Sequence, residues 1–193
     1  DFYGFPDELY KIKYPAKGEP KLAKKVIALL SDYNAKGDNS RGLDHGAWSV
    51  LRYLFANADV PVFQISLDKN LSTAEHFEIG KKLGGLRDDG VMILGSGDIV
   101  HNLWEIQRDP NAKAADWAVM FEREVKNAIL SKDYDTLINY LELGEAARLS
   151  CPTPEHYLPL LYIAAATGCE ELEFFYEGFE HSTISLSSFG NKF

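Results

Sequence analysis

Two short apolar runs, VPVFQISL at residues 60–67 and VMILGSG at 91–97, constrain this chain most. Each is rich in β-branched residues and each is followed by a stretch with another periodicity. Runs of this length and composition read as buried strands. Strands alternating with helices predict an α/β layer fold. Between the two runs, Ser72-x-x-Glu75 is a capping box opening a helix with Ile79, Leu83 and Leu86 on one side. After the second, Asp98 is placed to cap a short helix over 98–106. Residues 113–130 form the clearest amphipathic stretch, with Trp117, Met120, Phe121, Val125, Ala128 and Ile129 on one side. Pro20 suits the first turn of a helix over 20–30, and Asp44 can cap a helix carrying Trp48, Leu51 and Leu54. A short helix is expected at 133–142. Another is expected to start at Thr153-Pro154 and end at Gly168, with Pro159 kinking it or confined to its first turn. The tail reads as two strands in a hairpin. The expectation is a single-domain α/β fold, a mixed sheet with helices on both faces.

The 193 residues are enough to bury a core without staples. The formal net charge is −9, which opposes the sequence-independent attraction that nucleic-acid binding uses and disfavours anionic membrane. No run of 18 apolar residues is present, and no signal peptide opens the chain. Two cysteines, Cys151 and Cys169, are too few for a disulfide framework and suit a reducing cytoplasm. These features predict small-molecule or protein partners, no nucleic acid and no membrane.

The five histidines carry the chemistry. His45 follows the capping Asp44, His101 lies three residues after Asp98, and His156 three after Thr153. All three fall in the first turn of a predicted helix, where the helix dipole disfavours the imidazolium. A neutral imidazole is what a metal ligand or general base requires. The edge where strands pass into helices is also where α/β folds place their sites. The bland alternative, a local hydrogen-bonding role, is strong for any one of them and weaker for three together. His76 reads as structural and His181 as exposed. Gly95-Ser96-Gly97 lacks the third glycine of a dinucleotide fingerprint and reads as a turn letting the backbone approach a helix closely. Cys151 reads as core packing, and Asp88-Asp89 as a solvated turn. No nucleophile elbow, zincin motif or Walker loop is present.

Seven blocks in order, DFYGFPDELY, YPAKGEP, GLDHGAWSVL, VPVFQISLD, AEHFEIGKKL, GVMILGSGDIVHNL and TPEHYLPLLY, resemble the class III extradiol ring-cleavage dioxygenases, in particular the 4,5-DOPA extradiol dioxygenase family. The resemblance runs over nearly the whole chain. It implies that a catechol such as DOPA and O2 meet at a non-haem metal, normally Fe(II), with zinc possible in the isolated protein. A basic residue removes a catechol proton and later returns one, and the ring opens to a semialdehyde acid. By resemblance, His101 is the acid/base or a metal-proximal ligand, and His156 is the late metal ligand. His45 orients the substrate or protonates one of its oxygens. The family's GHGSP and SAHW motifs, which carry two further metal histidines, have no counterpart here. The resemblance therefore implies that roughly the first third of the domain, with two core strands, is absent. On that reading the chain holds iron weakly at best, and its open sheet edge invites a partner or an oligomer. Two rivals stand beside it. One is a non-catalytic binding or regulatory member of the fold, and the other a zinc hydrolase with Glu155 as general base.

Overall fold

The computed structural model describes Gly4, residues 6–168 and residues 170–191. Most of the opening aromatic segment and Cys169 lie outside the described residues. Two compact units divide the chain, residues 1–66 and 67–193.

Among its described residues the first unit has the α-helices α1 (Asp7–Tyr10), α2 (Pro20–Leu29) and α3 (His45–Leu54). Pro20 sits in the first turn of α2, where the Glu19 side chain accepts a hydrogen bond from the Lys21 N–H. Asp44 caps α3 by accepting from the Ala47 N–H at 2.9 Å. Val26, Leu30 and Leu51 are the buried apolar side chains among the described residues of this unit. Residues 61–66 have no regular secondary structure but are tied to the unit by hydrogen bonds. Val62 N–H donates to the Lys17 carbonyl at 2.8 Å, and the Gln64 side chain bonds the backbone and side chain of Asp44.

The second unit contains α4 (Thr73–Gly84), α5 (Asp116–Ser131), α6 (Tyr134–Ile138), α7 (Glu145–Ser150) and α8 (Leu158–Thr167). It also contains β1 (Leu172–Tyr176), β2 (Phe179–Glu180), β3 (Ile184–Ser185) and β4 (Ser188–Asn191). The Ser72–Glu75 capping box forms with both reciprocal bonds. Helix α4 lies along α8. A Cβ added at Gly80 would stand 2.8 Å from the Tyr162 Cα and 2.8 Å from the Ala165 Cβ, so only glycine lets the two backbones approach this closely. The core is built from Phe121, Val125, Ala128 and Ile129 of α5, Leu137 of α6, Leu161 and Ala164 of α8, and Tyr140 and Tyr157. Pro159 is held in the first turn of α8.

The α/β class stands, with its sheets in the tail: β1 pairs with β4 and β2 with β3, both antiparallel. Three local expectations are corrected. Residues 60–67 and 91–97 form no strand, because a strand needs a ladder partner that composition cannot supply. Residues 98–106 form no helix, because the N–H groups of Asp98, His101 and Asn102 are bonded to distant carbonyls and those of Trp104 and Glu105 to the Asn102 side chain. Met120 is half exposed, on the solvent side of α5.

Candidate functional site

The segment 97–102 is a strap held by tertiary hydrogen bonds. Its own sequence, which opens on Gly97 and continues with β-branched Ile99 and Val100, has little reason to coil into a helix. Asp98 N–H donates to the His156 carbonyl at 2.9 Å, and His101 N–H to the Ser150 carbonyl at 2.9 Å. Asn102 N–H donates to the Thr183 carbonyl at 3.2 Å, the Thr183 hydroxyl returns a bond to the Asn102 carbonyl at 2.8 Å, and Asn102 Nδ2 reaches the Leu149 carbonyl at 2.7 Å. His101 bridges antiparallel to Ile184. Ile99 and Val100 are buried between these attachments, and the buried Cys151 thiol donates to the Ile99 carbonyl at 3.3 Å. Burial pushes that thiol far up from its ordinary pKa, so Cys151 packs and does not react.

Gly97 makes the approach possible. A Cβ there would lie inside contact distance of the His156 carbonyl oxygen and 3.1 Å from Pro159 Cγ. The glycine turn read in the sequence thus does serve close approach, but to the 154–159 turn and not to a helix at 98–106. That turn is closed by Tyr157 and Leu158 N–H groups donating to the Pro154 carbonyl, both at 2.9 Å. It is anchored by the fully buried Tyr157, whose hydroxyl donates to the Leu137 carbonyl at 3.1 Å.

The strap and the turn bring His101 and His156 together. Their rings stack with centroids 3.5 Å apart and planes 11° from parallel. Asp98 Oδ2 lies 3.2 Å from His156 Nδ1. Asp98, His101 and His156 each offer one donor atom, all within 4.8 Å of one another, so the cluster is one that could hold a metal ion. Two imidazoles and a carboxylate suit a divalent transition metal. All three are half-buried. The His101 pKa is lowered by desolvation and then by the neighbouring His156, against the opposing pull of Asp98 and Glu155. His101 is therefore neutral near pH 7, through burial and its neighbour and not through a helix dipole.

Sequence reasoning assigned Asp98 to a helix cap. The available signal was its spacing, Asp-x-x-His directly after a glycine turn, which suits a carboxylate that orients an imidazole. His45 lies in the other unit, exposed, as the first residue of α3. His76 is structural as expected: it is fully buried, and its Nδ1 shares a 2.8 Å hydrogen bond with the Tyr162 hydroxyl. His181 is half-buried, with Nδ1 2.8 Å from the Gln107 carbonyl.

Residues 1–190 match the family described as "Catalytic LigB subunit of aromatic ring-opening dioxygenase". A 4,5-DOPA dioxygenase extradiol of Escherichia coli (strain K12) is 41% identical over 193 residues, covering 97% of this chain and 71% of that protein. The Portulaca grandiflora protein of the same name is 36% identical over 195 residues, covering 98% and 71%. The crystal structure of an uncharacterized Escherichia coli K12 protein superposes with a TM-score of 0.86 at 39% identity, over 95% of this chain and 77% of that one. The chain belongs to the LigB family of aromatic ring-opening dioxygenases.

Proposed function

We propose that this protein opens the ring of a catechol such as DOPA by the extradiol route, and that its site is built on Asp98, His101 and His156. The observation that carries the proposal is the stacked pair of imidazoles beside a carboxylate, on a strap and a turn held by hydrogen bonds to distant backbone. Asp98 at His156 Nδ1 favours the tautomer with the proton on Nδ1, leaving the Nε2 lone pair as a ligand. His156 is the proposed metal ligand, with His101 and Asp98 as the remaining donors near it. Fe(II) is the metal proposed for activity, since two histidines and a carboxylate are the set that non-haem iron oxygenases use, and zinc is the ion expected to compete for it. When bound, the metal supplies the route by which catechol electrons reach dioxygen.

His101 is the proposed acid/base. It is neutral near pH 7, so it can take a proton from a catechol hydroxyl. Stacked against His156, it is deterred from holding that proton permanently, which favours its return to the ring-opening product. His45 is proposed to orient the substrate or donate a proton to a substrate oxygen. Asp44 serves chiefly as the cap of α3 and as a partner of Gln64. A soluble, cytoplasmic protein is consistent with the absence, among the described residues, of any helix long and apolar enough to cross a membrane.

The test is oxygen uptake with catechol and with DOPA after anaerobic loading with Fe(II), followed by loss of the catechol and appearance of a semialdehyde absorbance. His101→Gln should weaken metal binding and lose turnover. His156→Ala and Asp98→Asn should lose metal affinity by about 10–100-fold. Metal-loaded protein that consumes no oxygen with either catechol refutes the proposal. Ester or amide hydrolysis without oxygen would instead support a zinc hydrolase.

A further inference from the structure

We propose that the cavity between the start of α4 and the turn before α8 receives a carboxylate-bearing substituent of the ring substrate, with His76 and Lys69 as its specificity-determining residues. This rests on the ring-cleaving reading above but is argued from different atoms.

The cavity has a volume of about 330 Å³, at the lower end of small-ligand sites. Leu67, Leu71 and Leu158 give it apolar walls suited to a carbon chain or ring edge. His76 forms part of its lining and is fully buried. One ring nitrogen, Nδ1, is taken by Tyr162; the other, Nε2, has the Asp68 carbonyl near it but makes no hydrogen bond of good geometry. A buried polar atom without a partner is rare and calls for an explanation, and a ligand atom entering the cavity supplies one. Burial keeps the imidazole neutral, and the Asp68 backbone and the Asp68 and Glu75 carboxylates only oppose that shift. In the tautomer in which the Tyr162 hydroxyl donates to Nδ1, Nε2 carries the hydrogen, and an acceptor in the cavity completes it.

The lining carries one ammonium, Lys69, which bears on the acceptor. Lys69 lines the cavity, is exposed, and makes no ion pair or hydrogen bond with a described residue. An ammonium can only donate. A carboxylate satisfies both Lys69 and His76, whereas an alcohol answers His76 alone. The anionic lining residue, Glu155, already accepts from the Thr153 hydroxyl at 2.7 Å. Glu155 and His156 are consecutive, about 3.8 Å apart along the backbone, so the lining and the metal-type cluster share one turn. A substrate with its ring at the cluster and its substituent here would span that turn.

The probe is 3-phenylpropanoate, which has the carboxylate but no hydroxyls to be oxidised, compared with 3-phenylpropanol and 2-phenylethylamine by titration calorimetry on the whole chain. The acid should bind about tenfold more tightly than the alcohol, as expected for a charge-assisted hydrogen bond. Lys69→Gln should weaken the acid about threefold and leave the alcohol unchanged. His76→Phe should weaken it about tenfold, with His76→Gln, which keeps an amide donor, recovering part of the loss. The His76 Nε2 resonance should move on addition of the acid. In turnover, Lys69→Gln should raise KM for 3,4-dihydroxyphenylpropanoate with kcat and the KM for catechol unchanged. Equal affinity for acid and alcohol, or an unmoved Nε2 resonance with only water in the cavity, overturns the proposal. If the His76 variants fail to fold, Lys69→Gln decides, since that side chain is exposed. Selective binding of the acid by a protein that consumes no oxygen would uphold this site and sink the ring-cleaving reading.

Discussion

Replacing Gly97 with alanine tests whether the site is assembled by backbone contact. The new methyl would meet the His156 carbonyl, standing 3.2 Å from its carbon and closer still to its oxygen, and 3.1 Å from Pro159 Cγ. Neither neighbour is the free end of a flexible chain. Restoring ordinary contact requires the 154–159 turn to retreat by about 1 Å. That retreat breaks the 2.9 Å bond from Asp98 N–H to the His156 carbonyl. Overpacking at a tight contact costs about 1–3 kcal/mol, and the lost hydrogen bond about 1 kcal/mol more. A total of about 2–4 kcal/mol corresponds to a fall in Tm of about 4–16 °C for a chain of this size. The same shift moves His156 away from Asp98 and out of its stack with His101, and a 1 Å misplacement in a catalytic array costs on the order of 10²-fold in rate. The assays are thermal melting, Co(II) titration as a spectroscopic metal reporter, and oxygen uptake with catechol. Gly85→Ala is the control, because nothing lies within 4 Å of its Cβ and its backbone is already in the right-handed helical region, with φ at −63°. It should be neutral or slightly stabilising. A Gly97→Ala protein that melts within a degree of the parent and binds metal equally well would refute the close-approach argument.

Three further outcomes follow from packing and burial. Gly80→Ala should destabilise by about 2–3 kcal/mol, read by urea denaturation, because its methyl would strike Tyr162 and Ala165 of α8 backbone-first; an unchanged midpoint would mean that α4 and α8 slide apart freely. Glu122 is held by the Ser185 and Ser187 hydroxyls, yet burial outweighs those bonds and raises its pKa above 4.5. The folded state then binds the proton more tightly than the unfolded state, so its carboxylate costs stability as pH rises from about 4.5 through the folded pKa. Glu122→Gln should therefore raise Tm at pH 7, with the gain shrinking toward pH 4; a gain that does not vary with pH would contradict this. The Cys151 thiol should resist alkylation until global unfolding, followed by mass spectrometry of the peptide containing it; rapid labelling of the native protein would show that the strap opens locally.

Features encoded within a few residues were legible in the sequence. The Ser72–Glu75 box and the Asp44 cap act through bonds spanning three positions and Pro20 through its fixed φ, and each formed where expected, whereas α8 starts at Leu158, past the expected Thr153-Pro154, which is what places Pro159 in its first turn. The 60–67 and 91–97 runs have the composition of strands, but a ladder is a property of two segments, and composition reports one. Residues 98–106 show why the site itself was only half legible. Asp98 followed by an apolar run satisfies the local rule for a helix start, yet the donors at 98, 101 and 102 are taken by His156, Ser150 and Thr183, between 49 and 81 positions away. Once those bonds replace the helix, the carboxylate is released from capping and faces His156 instead.

His101 is neutral through burial and its neighbour where the sequence predicts a helix dipole, and the difference matters. A helix dipole would act wherever the helix forms, as a local property of ten residues. Desolvation and the neighbouring His156 act only while the strap, the 154–159 turn and the tail are packed together. Thr183 donates its hydroxyl to Asn102 and Ile184 bridges His101, so the tail helps to hold the imidazole in place although none of its side chains belongs to the cluster. Thr183→Val keeps the shape and removes the donor, leaving the buried Asn102 carbonyl short of a bond at a cost of about 1–3 kcal/mol. If packing sets the protonation state, this variant should shift the His101 imidazole resonance titration upward toward 6.5 while the fold persists. A titration unchanged in Thr183→Val would mean that the local surroundings of His101 suffice without the tail.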